Sequence, residues 1–375
     1  MPYDDIRFYT SEELQVALRS AVRHPMMKAL LAYSLPDKSL KESQELALSC
    51  MSIDDFQREI VSNTVRRIIK DSSAGLTTSG FEKLEQDSPY LYISNHRDIV
   101  LDTCLLNLTL FKYNLIRTAS AIGDNLVERP FINVLSKLTR NFIVKRGKSP
   151  RETLLSSKKL SEYIRQLVLI DNCSVWIAQR QGRTKDGNDQ TEQGVLKMIA
   201  LAAGDLPVET YLTRLKIVPI SISYEYDPTD ALKVNELLAN LTHEQYQKSE
   251  DEDFNSIMKG ALGQKKHIHL AAGFPIVVDD LPDQSINQVL KRITDYLDLS
   301  IRDNYRLWPT NYIAYDLKHQ SRRYKDCYTQ HDRQQFERRL GLRVDRNDKA
   351  AVDGFLDIYA RPVENKLELK AVHEA

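Results

Sequence analysis

The sequence predicts an α/β fold. The expected architecture is a mainly parallel sheet covered by helices on both faces, with a helical N-terminal cap and a mostly helical C-terminal extension. Three observations carry this reading. From about residue 77 to 232, short apolar runs alternate with helix-length amphipathic runs, the pattern of strand–helix–strand units. The short runs lack strict polar alternation, as strands buried on both faces do. Several of them end abruptly in polar or basic residues, where open α/β sheets place their sites.

The elements follow in order. Residues 1 to 76 read as helical: "SEELQVALRSAVRHPMMKALLAYSL" shows helical apolar spacing behind an acid-rich cap. "SIDDFQREIVSNTVRRIIK" sets Ile60, Val61, Val65, Ile68 and Ile69 on one side. Two roles fit these helices. They either face a core, or lie on a bilayer with Met26, Met27, Leu30 and Leu31 beside Arg19, Arg23, His24 and Lys28. Strands are expected in "YLYIS", "LIRTASAIG", "NFIVKR", "CSVWIAQ" and "LKIVPISISYEY", with helices between them. Beyond 232, "NLTHEQYQKSEDEDFNS" reads as an exposed polar excursion and "HIHLAAGFPIV" as one more strand. "QSINQVLKRITDYLDLSIRDNYRLW" is a long amphipathic helix, and 322–348 is charged and helical. These shifts divide the chain into a cap (1–76), an α/β domain (77–280) and an extension (281–375).

Composition narrows the function classes. Lys plus Arg and Asp plus Glu are both 52, so no global field draws the chain to nucleic acid or acidic lipid. The Tyr-rich basic stretch "SRRYKDCYTQHDR" lies in no recognised nucleic-acid module, and no nucleic-acid partner is expected. The four cysteines are far apart without a Cys-x-x-Cys pair, which argues against a disulfide framework or zinc ribbon and fits a reducing cytoplasm. "MPYDDIRFYTSEEL" lacks the pattern of a secretory signal. No apolar run reaches the ~18–20 residues of a membrane span, so any membrane contact is expected to be peripheral.

The chemistry concentrates at the end of "YLYIS". There the chain reads Asn95-His96-Arg97-Asp98, followed by the apolar helix "IVLDTCLLN" that carries Asp102. Histidine is the natural general base near neutral pH. A neighbouring carboxylate fixes its tautomer and stabilises the imidazolium. Asp98 and Asp102 both stand within reach. Asp98 also suits a helix N-cap, and a carboxylate on an apolar helix needs a partner, which favours Asp102. Two more strands end in basic turns: "NFIVKRG" in Lys145-Arg146-Gly147, and "WIAQRQGRTKDGNDQT" in a loop with Gly182, Arg183, Lys185 and Gly187. In a parallel sheet both reach the edge that carries His96. Arginine binds phosphate or carboxylate bidentately, and glycine lets backbone N–H groups approach an anion. Each turn alone also reads as a solvated loop. His267 and His269 share one strand face, but no carboxylate or cysteine cluster accompanies them, so no metal site is expected.

In order and spacing, four segments resemble the motif blocks of the glycerolipid acyltransferases, which include glycerol-3-phosphate and 1-acyl-glycerol-3-phosphate acyltransferases. "SNHRDIVLD" is similar to the first, an Asn-His followed by an aspartate. "NFIVKRG" resembles the second, "AQRQGRTKDG" the third and "IVPISISYE" the fourth. The resemblance spans about 77 to 227 and implies transfer of an acyl group from acyl-CoA or acyl carrier protein to a hydroxyl of a glycerol-phosphate-type acceptor. It implies His96 as base with Asp102 as its partner, and Arg97, Arg146, Gly182, Arg183 and Lys185 as acceptor-binding residues. No cofactor or metal is implied, and the place of work is the cytoplasmic face of the membrane. Two departures stand out. Five residues separate His96 from Asp102 where the family has four, so a bend must absorb one if Asp102 is the partner. The glutamate that usually precedes the third block's glycine is absent: Gln179, Arg180 and Gln181 occupy those places. These departures keep two other readings open: O-acylation of a lyso-aminolipid, and an idle lipid-binding relative.

Overall fold

The computed structural model describes residues 3–147, 149–241, 252–278 and 284–374. Helices α1 (Ser11–Ala21), α2 (Pro25–Ser34), α3 (Leu40–Ser49), α4 (Ile53–Phe56) and α5 (Ser62–Ser72) come first. Side-chain caps start several of them: Thr10 with Glu13, and Ser39 with Glu42, form reciprocal capping boxes. The chain then turns into strand β1 (Ser73–Ser79), so the helical stretch ends at Ser72 and not at 76. "SAGLTTS" holds one large apolar residue, which is why no strand shows in its sequence pattern.

The alternating region follows: β2 (Leu91–Ser94), α6 (Leu101–Lys112), β3 (Thr118–Gly123), α7 (Pro130–Leu138), β4 (Asn141–Val144), α8 (Pro150–Leu169), β5 (Ser174–Ala178), α9 (Gln193–Ala200), α10 (Val208–Arg214) and β6 (Ile217–Tyr224). Then come α11 (Asp230–Leu241), α12 (Glu252–Leu262) and β7 (Lys266–Ala272). Most of the polar excursion expected at 240–256 lies outside the described residues. The chain closes with α13 (Ile286–Asn304), α14 (Pro309–Lys318), α15 (Gln330–Arg343) and α16 (Lys349–Glu374).

The seven strands form one sheet in the order β1-β7-β6-β2-β5-β3-β4. All neighbours run parallel except β6 and β7. Pro219 sits in the interior strand β6 without disrupting it, because β7 has already ended opposite: the carbonyl of Pro219 accepts from Gly273 N–H at 2.8 Å. Side chains alternate between two apolar layers. Leu91, Ile93, Val175, Ile177 and Ile217 pack with α8, α9, α10 and α13 on one face. Tyr92, Trp176, Val218, Ile220 and Ile222 pack with α5 and α6 on the other. Burial on both faces is why the strands carry no polar alternation.

The N-terminal helices use their apolar faces within the protein. Leu14, Leu18, Met27 and Leu31 are buried in a cluster that includes Phe56, Ile60 and Leu138 of α7. Phe336, Phe355 and Tyr359 centre a further cluster joining α11 and α14 to α15 and α16. Because β2, β3, β4, β5 and β6 are parallel, their C-terminal ends share one edge, and the following loops meet there.

Candidate active site

β2 ends at Ser94, and the next four residues are fixed one by one. The Asn95 side chain extends the strand as a substitute for backbone: its Nδ2 donates to Ile222 O at 3.0 Å, and its Oδ1 accepts from Ile222 N at 2.8 Å. The carbonyl of His96 accepts the Thr184 N–H at 2.7 Å, tying the β2 loop to the loop after β5. The carbonyl of Arg97 accepts from the buried ammonium of Lys233 at 2.9 Å. Residues 95 to 100 stay outside the helix, which begins at Leu101. This non-helical stretch absorbs the additional residue between His96 and Asp102.

Asp102 stands in the first turn of α6, where the helix N-terminus favours negative charge. It is fully buried, and four donors converge on it. His96 Nδ1 at 2.8 Å, Arg97 N at 2.6 Å and Asp98 N at 2.9 Å reach Oδ2, while Tyr224 OH reaches Oδ1 at 2.8 Å. With Nδ1–H donated to this carboxylate, the lone pair of the imidazole lies on Nε2. The His96 side chain is 12 % exposed, and Nε2 has no hydrogen-bond partner among the described residues. Trp176 stands edge-on to the imidazole at 5.3 Å between ring centres, and its Nε1–H is held by Ser94 Oγ at 2.9 Å. The geometry therefore pairs Asp102, not Asp98, with His96. Asp98 caps α6: Oδ1 accepts from Val100 N at 3.0 Å and Leu101 N at 2.8 Å. Its Oδ2 is buried without a hydrogen-bond partner against Gly260 of α12, where an added Cβ would come within 1.9 Å of it. Burial, aided by the charge of Asp102, raises the pKa of the Asp98 carboxyl above the ordinary carboxylate value.

The five other residues expected to bind the acceptor divide into two groups. Arg97 is buried and ion-paired with Asp189 at 2.5 Å, its guanidinium 5.3 Å over the Tyr305 ring. Lys185 is ion-paired with Glu236. A cation as deeply buried as Arg97 requires an internal carboxylate, while Lys185 is partly exposed and held by its ion pair; neither side chain is a free charge. Arg183 and Arg146 have no carboxylate partner on their side chains among the described residues. Arg183 Nη1 is held by Ser256 Oγ of α12 at 2.8 Å and Thr229 Oγ1 at 3.3 Å. Arg146 is exposed at the end of β4, with its backbone N–H donated to Asp124 Oδ2 at 3.0 Å. β4 is three strands from β2 in the sheet, about 14 Å by strand spacing. Gly182 takes a left-handed φ of 74° with open space around it, a conformation that favours glycine.

Sequence reasoning named His96 and Asp102 but missed the shell around them. Tyr224 lies at the end of the fourth quoted segment, and Asn95 next to His96. Their partners are more than a hundred residues away, so no local pattern shows the contacts. His267 is bonded to Glu225 at 2.6 Å, and His269 to Thr77 and Ser79. Among the described residues no group of three side chains is arranged to hold a metal ion.

A family model described as Acyltransferase matches residues 75–223. No curated protein matches the chain. Among solved structures, the chain is similar to the 1-acyl-sn-glycerophosphate acyltransferase PlsC of Thermotoga maritima, at 10 % identity and a TM-score of 0.37. That match covers 76 % of this chain and 93 % of the other. The matched segment of the present chain contains His96, Asp102, the Gly182 turn and nearly all of β6. Over residues 75–223 the chain is thus similar to the acyltransferase family.

Proposed function

We propose that this domain transfers a fatty acyl group from a thioester to a hydroxyl of a glycerol-phosphate-type lipid acceptor, lysophosphatidate or glycerol-3-phosphate. The observation that carries the reading is the His96–Asp102 pair at the shared strand edge, with Nε2 open. In the reaction, Nε2 takes the hydroxyl proton as the oxygen attacks the thioester carbonyl. The tetrahedral intermediate collapses with cleavage of the C–S bond, and the imidazolium returns the proton to the leaving thiolate. Asp102 orients the ring and stabilises its charged form. Backbone N–H groups at the Gly182 turn face the developing oxyanion. Arg183 and Arg146 supply the charge that holds the acceptor's anion. The donor is acyl-CoA or acyl carrier protein, and neither a metal nor a bound cofactor takes part. The N-terminal helices α1 to α5 and the extension of 281–375 serve this unit as supports. Among the described residues no helix is long and apolar enough to cross a membrane, and the proposed contact is peripheral, at the inner membrane face.

Thiol release tests the reading. Purified protein is mixed with palmitoyl-CoA or palmitoyl-acyl carrier protein and either acceptor. Release that depends on acceptor, and falls by ~10²–10⁴ in His96→Ala, is the expected result. No acceptor-dependent release with either donor would overturn it in favour of an idle lipid-binding relative. Release with a lyso-aminolipid alone would keep the chemistry and change the acceptor to one bearing a carboxylate.

A further inference from the structure

Where the chain meets the bilayer is a separate question from its chemistry, and one segment answers it. Residues 145–159 hold six Lys or Arg and one acid in a protein whose charges balance overall; Lys145 and Lys159 share Asp5, and Lys158 stands 4.0 Å from Glu162. Gly147 makes the turn into α8 possible: a Cβ there would lie 2.2 Å from Thr153 N. Ser149 then caps the helix. The first turns of α8 project beyond the core, since its buried residues begin only at Leu160. On that projecting end Leu154 and Leu155 are 59 % and 60 % exposed, with Arg151 and Lys158 exposed beside them.

This end belongs to the rim that carries the catalytic pair. Arg146 N–H is bonded to Asp124, the neighbouring Asn125 donates to Asp253 of α12 at 3.3 Å, and Gly260 of α12 lies on Asp98. α12 presents Met258, 42 % exposed, and Val100 next to the site is 38 % exposed. We propose that the basic loop after β4 and the first two turns of α8 dock on an anionic bilayer. Leu154 and Leu155 enter the headgroup–acyl boundary and the cations meet lipid phosphates, which sets the His96 edge toward the membrane. The inference rests on the proposed lipid acceptor. Two features favour a bilayer over an acidic protein: the paired leucines at the tip, and cations spread around them. Leucines sink into lipid while lysine and arginine stems reach the headgroups.

The test separates docking from catalysis. Binding to vesicles of phosphatidylcholine, with and without 30 mol % phosphatidylglycerol, is measured by sedimentation without substrate. Thiol release is measured in parallel with a short-chain, water-soluble acceptor. Leu154→Asp/Leu155→Asp and, separately, Arg151→Glu/Lys158→Glu are expected to weaken anionic-vesicle binding at least roughly tenfold. Release with the soluble acceptor is expected to stay within about twofold. Salt should weaken the wild type and the leucine variant alike, but the charge variant less. Unchanged vesicle binding in both variants overturns the proposal. So does intact vesicle binding with a selective loss of release from acyl carrier protein thioester, which would make the patch a carrier-protein surface. If the wild type binds vesicles as proposed but releases no thiol with any acceptor, the docking inference stands and the reaction fails.

Discussion

Asp102 receives donors on both oxygens, and only one of them belongs to His96, the proposed base. Tyr224 is the donor whose removal leaves the others in place. Burial, with the charge of Asp102 adding to it, holds the Tyr224 hydroxyl well above its ordinary value. It therefore remains a proton donor through any practical assay range. Tyr224→Phe removes one hydrogen bond to a charged group without removing the ring. It is expected to lower kcat about tenfold, or roughly 1.4 kcal/mol, with KM near the wild-type value. A raised KM at unchanged kcat would mean that Tyr224 shapes the acceptor site and does not position Asp102. The same scale shows what the sequence conceals. His96, Asp98 and Asp102 are legible because they lie within seven residues. The partners that decide the fate of the cations are Asp189 for Arg97 and Glu236 for Lys185. They come from 92 and 51 positions away. A basic side chain in a sequence looks the same whether an internal carboxylate neutralises it or not.

At the scale of elements, the start of α6 combines a cap and a cost. Asp98 satisfies two N–H groups of the first turn, but its second oxygen is buried against Gly260 without a hydrogen bond. Burial and the neighbouring Asp102 raise the folded-state pKa of Asp98 above its unfolded value of about 3.9. The native state thus holds this proton where the unfolded chain has released it. Stability from this group is full below the unfolded value and is lost as pH rises through the folded one. Asp98→Asn keeps a capping oxygen and removes the charge. Relative to wild type, its melting temperature is expected to be higher at pH 7.5 than at pH 4 by about 2–4 °C, as read by thermal melts. An equal difference at both pH values would place the cost elsewhere. Element positions were largely legible. Six of the seven strands, all but β1, announced themselves as apolar runs, because the sheet is covered on both faces. β1 did not, because an edge strand with small hydroxylated side chains has no hydrophobic period to read.

At the scale of the whole molecule, the last two helices hold the loop after β6, and that loop holds the site. Arg339 of α15 donates to Asp230 Oδ2 and to Asp227 O, both at 2.7 Å. Tyr359 of α16 donates to Asp230 Oδ2 at 2.8 Å and accepts from Asp227 N at 3.1 Å. Asp227 in turn pairs with Lys233, whose ammonium reaches the Arg97 carbonyl beside His96. Removing Arg339 leaves the buried Asp230 with Arg343, 3.3 Å away, and the Tyr359 hydroxyl as its remaining partners. Arg339→Ala removes the charged hydrogen bonds to Asp230 and to the Asp227 carbonyl and is expected to cost about 1.5–3 kcal/mol in urea unfolding. Below the unfolding transition, activity per folded molecule should fall as well, since the loop loses an anchor. A destabilised variant with full specific activity would show that the extension only adds stability. The sequence marks 281 onward as a separate extension, yet α13 buries Val289, Leu290, Ile293 and Leu297 in the same layer as β2. An amphipathic helix reveals that it has a partner, not which one.

The antiparallel pairing of β6 and β7 has a consequence for how this architecture changes over evolutionary time. In a fully parallel sheet, a connection must cross back to the opposite edge before the next strand starts. Here β6 finishes and β7 begins on the same edge, the one that carries His96, so the connection of residues 225–265 needs no crossover. That span supplies the residues that touch Asp98 and Arg183. Its length and composition can diversify without re-threading any strand, so new ligand preferences can arise by insertion and deletion while the His96–Asp102 pair is inherited intact.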